Sequence, residues 1–217
     1  GCGTGADALM LAGLVGSDGE VVGVDAGETM IETARERGSD VATVRFATDD
    51  ALDLSFTDNS FDGARADRVL QHLEAPAEAL AELRRVTKPG GRVGVSDPDW
   101  VTAIVDTPSG YSEQFLSLEH ATPRNPTMGR KLNRLARDTG LVDIDIDTWT
   151  LVSTEFAFLK EAGELQAWTD AMQTAGEVTA TEVDEWFEGL RQADEQGDLF
   201  GSITGFTVVG SVPEPDE

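Results

Sequence analysis

Gly1-Cys2-Gly3-Thr4-Gly5, followed by the run Val21-Val22-Gly23-Val24-Asp25, decides how the rest of this chain is read. Three glycines in five residues make a turn whose backbone, free of Cβ atoms, can approach an anionic or dipolar ligand. The apolar run that follows is a strand, and an acid at its tip can accept both hydroxyl protons of a ribose. Together the two features point to a nucleotide; the glycines taken alone are also compatible with a plain tight turn. No strand precedes the turn. In a doubly wound sheet the first strand is central and feeds this loop, so the sequence is expected to be a piece whose beginning lies upstream of Gly1.

Downstream, periodicity alternates between helix and strand. Ala6 to Val15 read as a helix with Leu9, Leu11 and Leu14 available for burial, ended by Gly16-Ser17-Asp18-Gly19. Glu28 to Arg37 form the next helix and Val41 to Ala47 a strand. Phe61 to Ala66 give another strand, Ala75 to Val86 a helix, and Lys88-Pro89-Gly90-Gly91 a turn into the strand Arg92 to Ser96. Strands separated by helical runs imply a parallel sheet, with ligands at the carboxyl ends of its strands. The second half changes character. Asp106 to Pro126 read as a loop with short helices, Met128 to Thr139 as a helix, and Leu141 to Val152 as a strand with Val142, Ile144 and Ile146 on one side. Phe156 to Gln192 are helical almost throughout, broken near Gly176 and Gly197, and Ile203 to Val212 make a last strand before an acidic tail.

Composition narrows the function classes. The 217 residues suffice for one α/β domain with an insertion, and 40% hydrophobic content excludes a disordered chain. Against 16 bases stand 41 acids, a formal charge of −25 that repels phosphate backbones and argues against a nucleic-acid partner. The acids are spread along the chain, as in proteins of salt-accumulating, haloarchaeal-type cytosols; an ordinary acidic bacterial protein is the alternative. No run approaches membrane-spanning length, so a cytoplasmic protein without membrane contact is expected. Cys2 is alone and makes no internal disulfide, and no metal is expected.

With these pieces in order, the chain resembles class I S-adenosylmethionine-dependent methyltransferases of the broad group acting on small-molecule and quinone-type acceptors. The matching stretches are Gly1-Cys2-Gly3-Thr4-Gly5, Val24-Asp25 with Met30, Asp50-Ala51 with Leu54-Ser55-Phe56, Ser60-Phe61-Asp62, Leu70-Gln71-His72-Leu73, and Arg85-Val86-Thr87-Lys88-Pro89-Gly90-Gly91. The resemblance implies a Rossmann-like doubly wound α/β sheet, mostly parallel with an antiparallel last strand, whose first strand is missing from the fragment. It implies one domain over residues 1–217, with a cofactor-binding half over 1–100 and a substrate-side half over 101–217. Within that second half, a helical lid over about 154–197 is inserted between the last two strands.

The same resemblance assigns S-adenosyl-L-methionine as cofactor and gives each matched residue a task. Gly1, Gly3 and Gly5 let the turn bend beneath the methionine moiety, with Cys2 and Thr4 offering backbone groups. Asp25 takes the ribose hydroxyls, a charge-assisted contact. Ala26 and Met30 pack on adenine, although Met30 also suits a helix core. Asp50 takes the exocyclic amine and Ala51 donates its N–H; the family's Gly-Asp-Ala reads here Asp49-Asp50-Ala51, so the assignment follows the position before Ala51, and a helix-capping Asp is the alternative. Ala66 and Arg68 fall where methyl group and acceptor meet, Arg68 reaching the cofactor carboxylate, an anionic substrate or a surface acid. His72 is a weak catalytic candidate beside a helix-anchoring role, and His120 has no motif support. Ser55 replaces a frequent Pro. The acceptor side is expected to draw on Trp100, Tyr111, Phe115, Phe156, Phe158, Trp168, Trp186 and Phe187, unless the last five form the insertion's own core. The reaction implied is in-line displacement at the sulfonium methyl by a small-molecule acceptor. A non-catalytic cofactor-binding relative remains open, as does an NAD(P)-dependent oxidoreductase, because Gly1-x-Gly3-x-x-Ala6 also satisfies the dinucleotide fingerprint.

Overall fold

The structure, a computed structural model, describes residues 1–106, 123–163 and 165–215. In chain order its elements are α1 (Ala6–Val15), β1 (Val21–Asp25), α2 (Glu28–Arg37), β2 (Val44–Thr48), β3 (Phe61–Asp67), α3 (Pro76–Val86), β4 (Thr87–Pro98), β5 (Ile104–Asp106), α4 (Met128–Asp138), β6 (Val142–Ser153), α5 (Phe156–Ala162), α6 (Leu165–Ala175), α7 (Ala180–Gln196) and β7 (Phe200–Ser211). Two single-turn 3-10 helices, Leu70–His72 and Trp100–Thr102, follow β3 and β4.

The expected mixed α/β architecture is present. β1 pairs with β2 and β3 with β4, both parallel; β7 runs antiparallel between β4 and β6, so the last strand is reversed as anticipated. β5 continues along the β4 side of β7. The strands form two sheets, β1-β2 and β3-β4-β7 with β5 and β6. The main core lies between α3, α4 and the larger sheet, where Leu80, Val93, Val95, Leu132 and Val208 are wholly or almost wholly buried. A smaller cluster of Ala8, Ile31, Ala34 and Phe46 holds α1 and α2 on β1 and β2.

Three local readings change. On α1 the buried residues are Ala8 and Ala12, whereas Leu14 is 76% exposed, because close helix–strand approach selects the small side chains. Lys88-Pro89-Gly90-Gly91 is not a turn ahead of a strand but a bulge inside β4. Phe61 pairs with Thr87 and Gly63 with Arg92, and left-handed Gly90 makes the excursion possible while bonding to Val212 O. On β6, Val142 does not share a side with Ile144 and Ile146. One extra residue at Asp143, whose φ is 48°, separates the Val142–Ser211 pair from Asp145–Val209 and reverses the alternation. Most of the expected loop from Asp106 to Pro126, with Tyr111, Phe115 and His120, lies outside the described residues.

Candidate functional site

Asp25, the last residue of β1, organises the glycine turn. Its Oδ2 accepts the Gly3 N–H at 2.8 Å and its Oδ1 accepts the Gly27 N–H at 2.9 Å. Each carboxylate oxygen thereby uses one lone pair on the backbone and keeps another. The turn is pinned further by Cys2 N–H to Val24 O and Gly5 N–H to Cys2 O. Gly5 needs its residue type twice over: φ is 82°, and a Cβ there would stand 2.7 Å from the Phe46 ring. The backbone groups expected from Cys2 and Thr4 are largely committed to the protein itself, since Arg37 donates to both the carbonyl and the hydroxyl of Thr4. Burial pushes the Cys2 thiol above its usual range.

Around this turn the other predicted residues fall in two groups. Ala26 and Met30 are exposed beside Asp25, and Met30, at 47% exposure, is no core methionine. Past β2, Asp49 and Asp50 divide the work. Asp49 Oδ2 accepts from both the N–H and the hydroxyl of Ser55, and its Oδ1 from Asp50 N–H, so Asp49 closes the loop. Asp50 is exposed and spends only Oδ1, on Leu52 N–H, in an Asx-type turn; it caps no helix. Ser55 in place of Pro is explained by the same contacts, because proline has neither the N–H nor the hydroxyl. Arg85 backs the loop from below, donating to Leu54 O and Phe56 O and pairing with Glu82, whose carboxyl it holds below the ordinary range.

At the end of β3, Ala66 is half-buried and Arg68 takes φ 54°, with its N–H on Ser96 O and its guanidinium 67% exposed and 3.6 Å from Asp67. A positive φ at a non-glycine residue is costly and persists where surrounding structure enforces it. Next comes Val69, whose methyls occupy the space a Cβ on Gly1 would need, 2.5 Å away. The end of β3 and the glycine turn are therefore in direct contact. His72 is exposed, in the single turn Leu70–His72.

Sequence reasoning missed the knot beneath His72. Gln71 is buried; its side chain accepts the Trp100 indole N–H at 2.8 Å, its carbonyl accepts Asn125 N–H, and its own N–H reaches Asp97 Oδ1 at 3.3 Å. Trp100 rests against Trp168 of α6 with ring centroids 5.6 Å apart. Asp99, 1% exposed, caps Val101 N–H and takes a bidentate pair from Arg130 at the start of α4. The signal was an Asp-Pro-Asp-Trp run in strand-end position, but its partners are distant in sequence. Among the insertion aromatics, Phe156, Trp186 and Phe187 belong to a cluster with Leu165, Met172, Val183 and Leu190, which is the helices' own core. Phe158 is exposed at 42%, leaving Trp168 as the aromatic that meets the Trp100 turn. An open cleft of about 600 Å³, lined by Phe156, Ala157, Lys160, Glu161, Gln166 and Ala167, lies on this helical segment. Among the described residues no helix is long and apolar enough to cross a membrane.

With a glycine turn, a strand-end acid and a β4/β7/β6 antiparallel edge in place, the comparisons agree on the class: residues 1–158 match the methyltransferase domain family, and the chain belongs to it. An uncharacterized 37.1 kDa protein in transposon TN4556 of Streptomyces fradiae is 36% identical over 212 residues, 96% of this chain. The chain spans 60% of that protein's length. A demethylmenaquinone methyltransferase of Staphylococcus aureus is 41% identical over 92 residues, 42% of this chain and 38% of that one. The crystal structure of the Bacillus YcgJ protein superposes with a TM-score of 0.68 at 20% identity, covering 99% of this chain and 90% of that one. Phosphoethanolamine N-methyltransferase 2 of Haemonchus contortus, in complex with S-adenosyl-L-methionine, gives 0.61 at 21% identity over 99% and 47% of the two chains. At those identities the likeness concerns the fold.

Proposed function

We infer that the chain is an S-adenosylmethionine-dependent methyltransferase domain acting on a small-molecule acceptor. The observation that carries this reading is Asp25: a carboxylate locked by two backbone N–H groups at a strand end, with one lone pair left on each oxygen to accept from the two hydroxyls of a ribose. The residues fit such a cofactor. Ala26 and Met30 offer an exposed apolar surface for adenine beside Asp25, and Asp50 keeps one oxygen for the amine while Ala51 supplies an N–H. Arg68, directed outward by its strained backbone, is a cationic partner for the amino-acid carboxylate or for an anionic acceptor.

When bound, the cofactor supplies a methyl group on a sulfonium, already an activated leaving group. What remains for the protein is alignment and exclusion of water, and well-aligned reactants can gain roughly 7 to 11 kcal/mol from positioning. The turn at Gly1–Gly5 and the end of β3 meet through Val69, so donor and acceptor ends are positioned by one rigid contact. His72 is not assigned as a base. A quinone-type acceptor is the first class to assay, on the strength of the staphylococcal relative, and the helices from Phe156 to Gln196 are proposed as its lid. We also read the two sheets as halves of one doubly wound sheet, with a strand from outside residues 1–217 between β1 and β3. The support is that each of these strands pairs on one side alone among the described residues.

Calorimetry with S-adenosylhomocysteine and with NADH tests the reading. Asp25→Ala should lower S-adenosylhomocysteine affinity by roughly ten- to a hundredfold, the cost of a charged hydrogen bond of about 1.5 to 3 kcal/mol. Undiminished affinity in that variant removes Asp25 from the site; binding of NADH in place of S-adenosylhomocysteine would overturn the cofactor assignment.

A further inference from the structure

Asp97 has no part in the reading above, yet among the described residues it is the buried carboxyl left with an oxygen without a hydrogen-bond partner. It is completely buried near the end of β4, where Oδ1 accepts the Gln71 N–H and Oδ2 has no hydrogen-bond partner. An asparagine would offer the same acceptor oxygen to Gln71 without a charge to desolvate, so a carboxylate here is costly unless its charge does something. Its surroundings say what. The single turn Leu70–His72, beneath which Asp97 lies, is held from three directions: by the Asp97 carboxyl, by the Trp100 indole on the Gln71 side chain, and by Asn125, whose amide donates to Leu73 O at 2.8 Å. The turn closes on Val69 O through His72 N–H, and Val69 packs on Gly1 of the glycine turn. The anchors come from β4 and the segments that follow it, while Val69 lies against the glycine turn.

We propose that Asp97 is a positioning residue for methyl transfer: its carboxylate holds the Leu70–His72 turn, and through Val69 that turn holds the glycine turn in its cofactor-binding shape. The idea rests on the methyltransferase reading. Hydrogen bonds to an ionised acceptor are shorter and stronger than those to a neutral one, so the negative charge stiffens the turn in a way the isosteric amide does not. The charges that face Asp97 are Asp67 and Arg68 at the end of β3; on the adjoining elements, Arg130 of α4 is taken up by Asp99, and His72 points to the surface. Burial pushes the Asp97 carboxyl up to about 7, with Asp67 adding to the effect and Arg68 opposing it. Wild type therefore holds its turn by a carboxylate at pH 8 and by a neutral acid at pH 5.5.

The test compares wild type with Asp97→Asn at both pH values, by S-adenosylhomocysteine titration calorimetry and by hydrogen exchange of the segments 1–6 and 66–74. At pH 8 the variant should bind five- to twentyfold more weakly, and amides in both segments should exchange at least fivefold faster. At pH 5.5 the two proteins should converge. Taking the ratio of variant to wild type at each pH cancels the titrations that the two proteins share. Equal affinity and equal exchange at pH 8 overturn the proposal, as does a deficit of the same size at both pH values, which would mark a merely structural role. Absence of S-adenosylhomocysteine binding by wild type counts against the cofactor assignment instead, and the exchange of the two segments then decides the coupling by itself.

Discussion

A residue can be read from sequence when the partners that give it meaning are close by. Asp25 is such a case: the glycine turn and Gly27 that complete its geometry are all within one βα unit, so its place in the candidate site was legible. Asp97 is the opposite, because Gln71 lies 26 positions away and the pairing exists only once β3 and β4 are adjacent. Its burial also makes a stability prediction with a definite sign. The folded carboxyl sits above its ordinary range, so the native state binds a proton that the unfolded state has released. That contribution is fully present below about pH 4 and is lost as pH rises through about 7. At about 1.4 kcal/mol per pH unit, the interval from 3.8 to about 7 amounts to roughly 4 kcal/mol. Asp97→Asn should accordingly melt higher than wild type at pH 8, with the advantage fading toward pH 4. A variant that melts lower at pH 8 would mean that the ionised carboxylate finds compensation beyond Gln71.

Among the elements, the alternation of helix and strand through Ser96 was recoverable from periodicity, since each βα unit carries its own apolar pattern and stop signal. The failures share one cause. The bulge at Lys88–Gly91 and the phase reversal at Asp143 are properties of pairing between strands, and a single strand's sequence does not contain its partner's register. The insertion was legible by position, because β6 and β7 pair directly with α5, α6 and α7 between them. The lid role proposed for it gives a further prediction. The three helices have a core of their own, joined by Leu199 and Val105, and also touch the rest through Leu159 against Gly201 of β7 and the Trp100–Trp168 contact. Replacing Phe156 to Gln196 by a short linker should leave S-adenosylhomocysteine affinity within a few fold while abolishing turnover of whichever acceptor wild type methylates. The exposed Trp100 and Val105 should cost on the order of 2 kcal/mol each in lost burial. Loss of cofactor binding from a variant with native circular dichroism would show that the helices hold the nucleotide half as well.

At the scale of the whole molecule the governing quantity is charge. Even if each of the 16 bases neutralised one acid, 25 carboxylates would remain uncompensated. Salt therefore has two opposed effects, weakening exposed pairs such as Arg45–Glu20 and Lys88–Asp62 while screening repulsion among the excess acids. Exposed pairs are worth about 0 to 1 kcal/mol each, so the repulsion should dominate. Close-spaced carboxylates such as Asp50 and Asp53, bridged through their backbones, are among the places where it acts. The Debye length falls from about 30 Å at 0.01 M to about 8 Å at 0.15 M and about 3 Å at 1 M. Simple screening should then deliver most of its stabilisation by about 0.2 M KCl and level off. The proposed adaptation to a salt-rich cytosol asks for more: a melting temperature that keeps rising from 0.2 M to 2 M KCl. Measured across that range, a plateau would identify an ordinary acidic protein relieved of self-repulsion, and a fall from 0.01 M onward would show that the exposed ion pairs outweigh the excess acids.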